Sequence, residues 1–297
     1  MHTATPVDET AVAADGRTLA CRYFLPAGEP AGAALIVPAM GTSQGFYAAL
    51  AGWLAGQGIL AATFDYRGTG RSRPPRLRGY RADLFDWARL DCAAMLDALA
   101  PRAPGKPLYW IGHSLGGQIL PFVPDPDRIT GAVTVATGSG YWRENAPALR
   151  RRVWWLWYVV VPLSIPVAGY FPGGRLRKVG DLPAGVMRQW RRWCLDPDYA
   201  AGAEGEAVRA EYAAVRVPIV SLSFTDDELM SARNTEALHA LYTGAPVVMR
   251  RIAPADAGVR RIGHFGFFRA GQGEALWRDH LLPALRDLSP PGEGVRR

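Results

Sequence analysis

Cysteine is scarce and scattered in this chain. Only Cys21, Cys92 and Cys194 occur among 297 residues, an odd set with no C-x-x-C pair. That excludes a disulfide framework and a cysteine-based metal site, and it fits a reducing compartment. Long apolar runs are missing too. The strongest, Val153 to Leu163, falls short of the roughly 20 residues a membrane span requires. Pro162 interrupts it, and Pro166 and Pro172 are expected to cut it short. The stretch from Met1 to Ala14 holds acidic residues and no basic run ahead of an apolar segment, so no secretory signal is expected and cytoplasm is the default. Internal repeats are absent. So is any nucleic-acid-binding motif, which sets nucleic acid aside as a partner.

What remains is an ordinary globular composition, 49% apolar and 21% charged, long enough for one α/β domain carrying an insertion. Charge is unevenly spread. Between Tyr141 and Trp193 there are ten Arg or Lys residues against Glu144 and Asp181, so this one segment accounts for the whole formal charge of +7. A solvated basic face is the plain reading. An anionic substrate or an anionic membrane surface are the functional ones.

Residues 7–24 alternate around Asp15-Gly16 and read as a hairpin at a sheet edge. Short apolar strands follow at 33–38, 59–64, 108–111, 129–136, 218–224 and 247–252. Between them lie helical stretches at 45–57, 81–99, 231–242 and 274–288. Strands alternating with helices imply a mostly parallel sheet flanked by helices on both faces, with ligands beyond the carboxyl ends of the strands. The alternation lapses over 138–212, which reads as a helical cap inserted between the strand near 129–136 and the strand near 218–224. The expected organisation is therefore a core domain of 1–137 and 213–288, a cap of 138–212 and a flexible tail of 289–297.

The apolar strand Leu108-Tyr109-Trp110-Ile111 runs into Gly112-His113-Ser114-Leu115-Gly116, a G-x-S-x-G. Glycines flanking a serine at a sharp strand-to-helix turn admit a strained backbone that projects the hydroxyl above the sheet edge. Ser114 is thus a candidate nucleophile, against the plainer reading of a Gly/Ser turn. A serine nucleophile needs a base, and the base an orienting carboxylate. Thr225-Asp226-Asp227-Glu228 follows the strand 218–224, with Asp227 the first candidate acid and Asp226 its alternative. Ile262-Gly263-His264-Phe265 follows the strand 247–252. Of the five histidines, only His264 sits in a Gly-flanked loop beyond the final strand, whereas His2, His113, His239 and His280 lie in the start, beside Ser114 and within helices. A surface histidine stacked among aromatics is the plainer reading of His264.

With Pro38-Ala39-Met40-Gly41, Asp65-Tyr66-Arg67-Gly68-Thr69-Gly70-Arg71-Ser72, Gly112 to Gly117, Asp227 and Gly263-His264, the chain resembles the α/β-hydrolase superfamily, and a bacterial branch of serine hydrolases within it. The resemblance implies an α/β-hydrolase fold and a Ser114–His264–Asp227 triad. It also implies an oxyanion hole from the backbone N–H groups of Leu115 and Met40, with Ala39 or Gly41 as alternatives to Met40. Pro-Ala stands where many relatives carry His-Gly, and Phe224 where glycine is usual. No metal and no organic cofactor are implied. The expected substrate is a small ester or acyl compound, plausibly anionic, cleaved as a carboxylic ester through an acyl-enzyme.

Tyr141 and Trp142 are candidate pocket residues, or part of a cap core. The Asp65–Ser72 loop is expected to brace its neighbours. Rival readings are an acyltransferase with the same triad, a non-catalytic ligand-binding protein, and a peripheral membrane lipase. In the last, the apolar run and Arg150-Arg151-Arg152 would contact a bilayer surface, and it is the less favoured reading. Oligomeric state is not legible.

Overall fold

The computed structural model describes residues 6–176 and 179–289. Eight strands form a single sheet: β1 (Val7–Val12), β2 (Thr18–Phe24), β3 (Gly32–Val37), β4 (Ile59–Phe64), β5 (Leu108–His113), β6 (Gly131–Val135), β7 (Ile219–Phe224) and β8 (Val247–Ile252). Their order is β1-β2-β4-β3-β5-β6-β7-β8. The hairpin β1–β2 and the β2–β4 pair are antiparallel, and every other pair is parallel.

Every residue of β3 through β7 is buried, as continuous apolar runs demand when helices cover both faces. Successive side chains divide between two cores. Ala33, Leu35 and Val37 enter one, with Trp110 from β5. Ala34 and Ile36 enter the other, with Tyr109 and Ile111. The second core is closed by α1 (Ala48–Gly56) and by a terminal helical run over 273–287, through Leu50, Leu54, Leu276 and Leu281. The first is closed by a run over 84–99 and by the helices between β6 and β7. The mostly parallel sheet flanked by helices is the architecture expected from sequence.

Four helical elements separate β6 from β7: a long run over 147–168, and the helices Ala184–Leu195, Tyr199–Ala203 and Glu206–Ala214. The long run corrects one expectation. Pro162 and Pro166 lie inside it and do not end it. Directly before Pro162 the helix widens into a π turn over Leu156–Val160, a local loosening of the ladder at the point where proline offers no N–H. The run stops only at Gly169, whose φ of 77° supplies a left-handed cap. No helix among the described residues is long and apolar enough to cross a membrane. Arg177 and Lys178, two of the ten basic residues noted above, and residues 290–297 of the tail expected over 289–297 lie outside the described residues, as does His2.

Candidate active site

The turn after β5 is built by close approach. A Cβ on Gly116 would stand 2.1 Å from the Val37 carbonyl oxygen, and one on Gly112 would stand 2.5 Å from the Gly117 nitrogen. No side chain fits either place. Between them Ser114 adopts φ 50° and ψ −111°, a conformation that costs a non-glycine residue about 1–3 kcal/mol and persists only when its surroundings over-determine it. Those surroundings are visible. Ser114 N donates to Val135 O at 3.0 Å, Thr137 Oγ1 to Ser114 O at 3.2 Å, and the Trp110 indole to Gly116 O at 2.9 Å.

The loops after β7 and β8 meet through carboxylates. His264 Nδ1 lies 2.9 Å from Asp227 Oδ2 and 3.2 Å from Oδ1, both side chains being 2% exposed. Asp227 is itself held by the amides of Leu229 and Met230, at 2.8 and 2.9 Å to Oδ1. Asp226, the alternative acid, faces elsewhere: it accepts from the amides of Ile262 and Gly263 at 2.9 and 3.1 Å. Glu228 accepts from the His264 amide at 3.1 Å. Of three consecutive carboxylates, one meets the imidazole and two hold the loop that carries it. A strand-end alternation explains why neighbours diverge. Phe224 stacks on Phe267 with centroids 5.9 Å apart, which packs the turn following His264 against the end of β7.

His113 was set aside in sequence as a mere neighbour of Ser114, and Tyr47 was not singled out at all. The structure joins them. Ala39 N donates to Tyr47 Oη at 2.8 Å, Tyr47 Oη lies 2.9 Å from His113 Nδ1, and His113 Nε2 lies 3.1 Å from the His264 carbonyl oxygen. A carbonyl only accepts, so Nε2 carries the proton, Nδ1 accepts, and the tyrosine hydroxyl donates to it. Burial, with the nearby His264, pushes His113 well below the usual imidazole range, consistent with this neutral tautomer. One relay therefore ties the loop after β3 to the loop after β8 through the residue preceding Ser114. A tyrosine three residues into the helical stretch that follows a strand carries no sequence signal distinguishing it from core.

The same bond sorts the amides of the 38–41 loop. Ala39 N is engaged by Tyr47, so of the three candidate amides those left without a partner among the described residues are Met40 and Gly41. Met40 is buried in the first core. Leu115 opens the helix Leu115–Gln118, where its N–H has no carbonyl one turn back. Ser114, Leu115, Met40, Asp227 and His264 all lie just beyond the carboxyl ends of parallel strands, the edge at which such sheets present ligands.

Tyr141 and Trp142 are half-buried. Trp142 N donates to Cys194 O at 3.0 Å, and its ring meets Tyr158 edge-on at 6.2 Å, so it packs among the helices between β6 and β7. The Asp65–Ser72 loop braces its neighbours, as expected. Asp65 accepts from the amides of Gln44 and Arg71, and buried Arg67 pairs with Asp91 at 2.6 Å and Asp15 at 2.7 Å. A recess of about 800 Å³ between α1 and the last helical run contains none of the site residues. Among the described residues no three His, Cys, Asp or Glu side chains converge to hold a metal ion.

Comparison with known proteins gives the family. Residues 28–184 match the family model Hydrolase_4, serine aminopeptidase, S33. Human monoglyceride lipase is 32% identical over 127 residues, 42% of this chain and 41% of the lipase, and the mouse enzyme gives the same figures. The chain thus matches less than half the length of these relatives. Among solved structures, a soluble variant of the Saccharomyces cerevisiae monoglyceride lipase, in complex with a substrate analogue, superposes with a TM-score of 0.67 at 15% identity, covering 97% of both chains. An esterase of Pyrococcus furiosus gives 0.62 at 14% identity, covering 96% of this chain and 91% of its own. At such identities these two show the fold. The family model spans more than half of the sequence, and the chain belongs to the Hydrolase_4, serine aminopeptidase S33 family of α/β-hydrolases.

Proposed function

We propose that this protein hydrolyses a carboxylic ester through an acyl-enzyme on Ser114. The observation that carries the reading is the buried Asp227–His264 pair, 2.9 Å apart, joined through the His264 carbonyl to His113 at 3.1 Å, the residue before a serine whose backbone is held at φ 50°. With Nδ1 committed to Asp227, the free imidazole nitrogen of His264 is Nε2. Ser114 Oγ attacks the ester carbonyl carbon as its proton passes to His264 Nε2, and Asp227 stabilises the resulting imidazolium. The Leu115 and Met40 amides receive the negative charge on the former carbonyl oxygen. Collapse expels the alcohol, which leaves with the proton from His264. Water then attacks the acyl-enzyme with His264 again as base, releasing the acid and restoring Ser114.

The helices between β6 and β7 act in this reading as a cap over the strand ends and select the substrate. Likeness to monoglyceride lipases makes monoglycerides the first esters to try. The test is labelling by a fluorophosphonate probe. Wild type labels, whereas Ser114→Ala does not and His264→Ala labels far more slowly. A folded wild type that stays unlabelled, or Ser114→Ala labelling as fast as wild type, overturns the proposal. A p-nitrophenyl ester series set against aminoacyl p-nitroanilides then separates ester from amide cleavage.

A further inference from the structure

The helical run over 147–168 buries a clean stripe every fourth residue: Val153, Trp157, Val161 and Ile165. A helix with that inner stripe would ordinarily carry polar residues outside. This one does not. Trp154, Trp155, Tyr158, Leu163 and Val167 lie on the outside, each between 46% and 77% exposed. Five of the eleven large exposed apolar side chains of the described residues lie on this one helix, the kind of patch that marks an interaction surface.

Charge at both ends says what covers it. Arg150, Arg151 and Arg152 are exposed at the amino end. At the carboxyl end a cleft of about 470 Å³ is lined by Arg73, Arg76, Arg78, Arg175 and Tyr170, with Val167 on its rim. Arg73 pairs with Asp181 at 2.8 Å and Arg78 donates to the Val167 carbonyl at 2.6 Å. Arg76 and Arg175 have no acidic partner among the described residues. Between Glu144 and Asp181 the sequence contains no acidic residue. A second copy of the chain would bring arginine against arginine, whereas a phosphate-bearing surface complements both ends. Exposed tryptophan and tyrosine flanked by arginine is the composition of a helix lying in a membrane interface.

We propose that the outer face of the 147–168 helix seats the protein on an anionic phospholipid surface, with the arginine cleft taking a lipid phosphate. The sequence alone ranks this contact below a buried cap core. The exposure of the outer face reverses that order. The inference stands independently of the catalytic reading, so it is tested on Ser114→Ala, which leaves the surface intact.

Ser114→Ala is floated with vesicles of phosphatidylcholine alone and of phosphatidylcholine mixed with phosphatidylglycerol, at low and high salt. Binding is expected to be about tenfold or more stronger to the mixed vesicles and to weaken with salt. Adding Arg76→Glu and Arg175→Glu should remove that preference by about tenfold or more, each reversal costing more than a neutralisation. Adding Trp155→Ser and Leu163→Ser should abolish binding to both vesicle types. Because these side chains are exposed, thermal melts should stay close to the parent, which separates lost contact from lost folding. No binding to the mixed vesicles, or equal binding to both types, refutes the proposal. So does a charge-reversed variant that binds undiminished, or concentration-dependent dimerisation lost on Leu163→Ser without vesicle binding. Stabilisation by inorganic phosphate alone, again without vesicle binding, would make the cleft a free-phosphate site and equally overturn it.

Discussion

Removing a single oxygen tests whether the relay through His113 joins two halves of the site. Tyr47→Phe keeps the ring, which packs edge-on against Phe268 at 5.0 Å and is fully buried. It deletes the hydroxyl that accepts from Ala39 N at 2.8 Å and donates to His113 Nδ1 at 2.9 Å. Two buried polar groups lose their partners, one donor and one acceptor. At about 1–3 kcal/mol for each unsatisfied group, the loss of stability is about 2–6 kcal/mol. For a chain of this size that lowers Tm by roughly 2–4 °C per kcal/mol, and differential scanning calorimetry reads it directly.

A second consequence separates positioning from packing. Ala39 precedes Met40, and with its amide released the loop can swing the Met40 N–H away from the developing oxyanion. An oxyanion donor lost outright costs about 10²–10³ in kcat, so a displaced one should cost about tenfold or more with KM little changed. Tyr109→Phe is the control. Its hydroxyl contacts Ser289 at the opposite end of the sheet, so its hydrolysis should keep the wild-type kcat. An unchanged Tm in Tyr47→Phe refutes the hydrogen-bond assignment. A lowered Tm with unchanged kcat refutes the coupling to the oxyanion loop.

The remaining predictions follow from the same geometry. Ser114→Gly abolishes hydrolysis yet raises Tm, because glycine adopts φ 50° without the cost of about 1–3 kcal/mol. A Tm at or below wild type would show the turn to be unstrained. Asp227→Asn lowers kcat by about 10⁴-fold by spoiling the tautomer of His264, whereas Asp226→Asn, remote from the imidazole, lowers Tm and leaves kcat within about tenfold. Reversed effects in steady-state assays would exchange the two roles. Stability should fall on acidification below about pH 6.5. His113 and His239 are pushed below the usual imidazole range mainly by burial, so the stabilisation they carry is complete above that pH and is lost beneath it. Each contributes up to about 1.4 kcal/mol per pH unit. Asp91, raised by burial to about 7 against the pull of Arg67, acts oppositely between that value and the ordinary carboxylate range. The net fall is therefore of the order of one histidine, and urea midpoints that rise from pH 6.5 to 5.5 would refute the assignment.

The strands β3 to β7 were legible because each is a short apolar run bounded by turn residues, and burial on both faces needs nothing subtler. Ile59–Phe64 and Val247–Ile252 came out at the expected bounds. The Asp227–His264 pair was legible for a related reason, since loops after successive parallel strands must arrive at one edge. What could not be read was direction. Asp226, Asp227 and Glu228 are three adjacent carboxylates, and only the placement of the 262–264 amides decides which of them meets the imidazole. Tyr47 and His113 were invisible for the same reason: a tyrosine in a helix and a histidine in a strand gain a role only when folding brings a carbonyl and an amide to their ends.

The long helix over 147–168 shows the limit from the other side. Its composition is apolar almost throughout, and a run of Val, Trp and Leu does not say which of its faces is wet. Prolines at 162 and 166 argued for a broken segment. The helix continues through both, with a π turn over Leu156–Val160 ahead of them, and it leaves Trp154 and Trp155 exposed. The strained Ser114 turn and this helix are therefore opposite kinds of local exception. At the first, the chain tolerates strain because the bonds of Ser114 N to Val135 O and of Thr137 Oγ1 to Ser114 O hold the turn. At the second, the chain tolerates exposed aromatic surface that nothing in the fold covers. Such surface is unfavourable for a protein surrounded only by water, and a lipid interface bearing phosphate removes that cost while neutralising the arginines beside it.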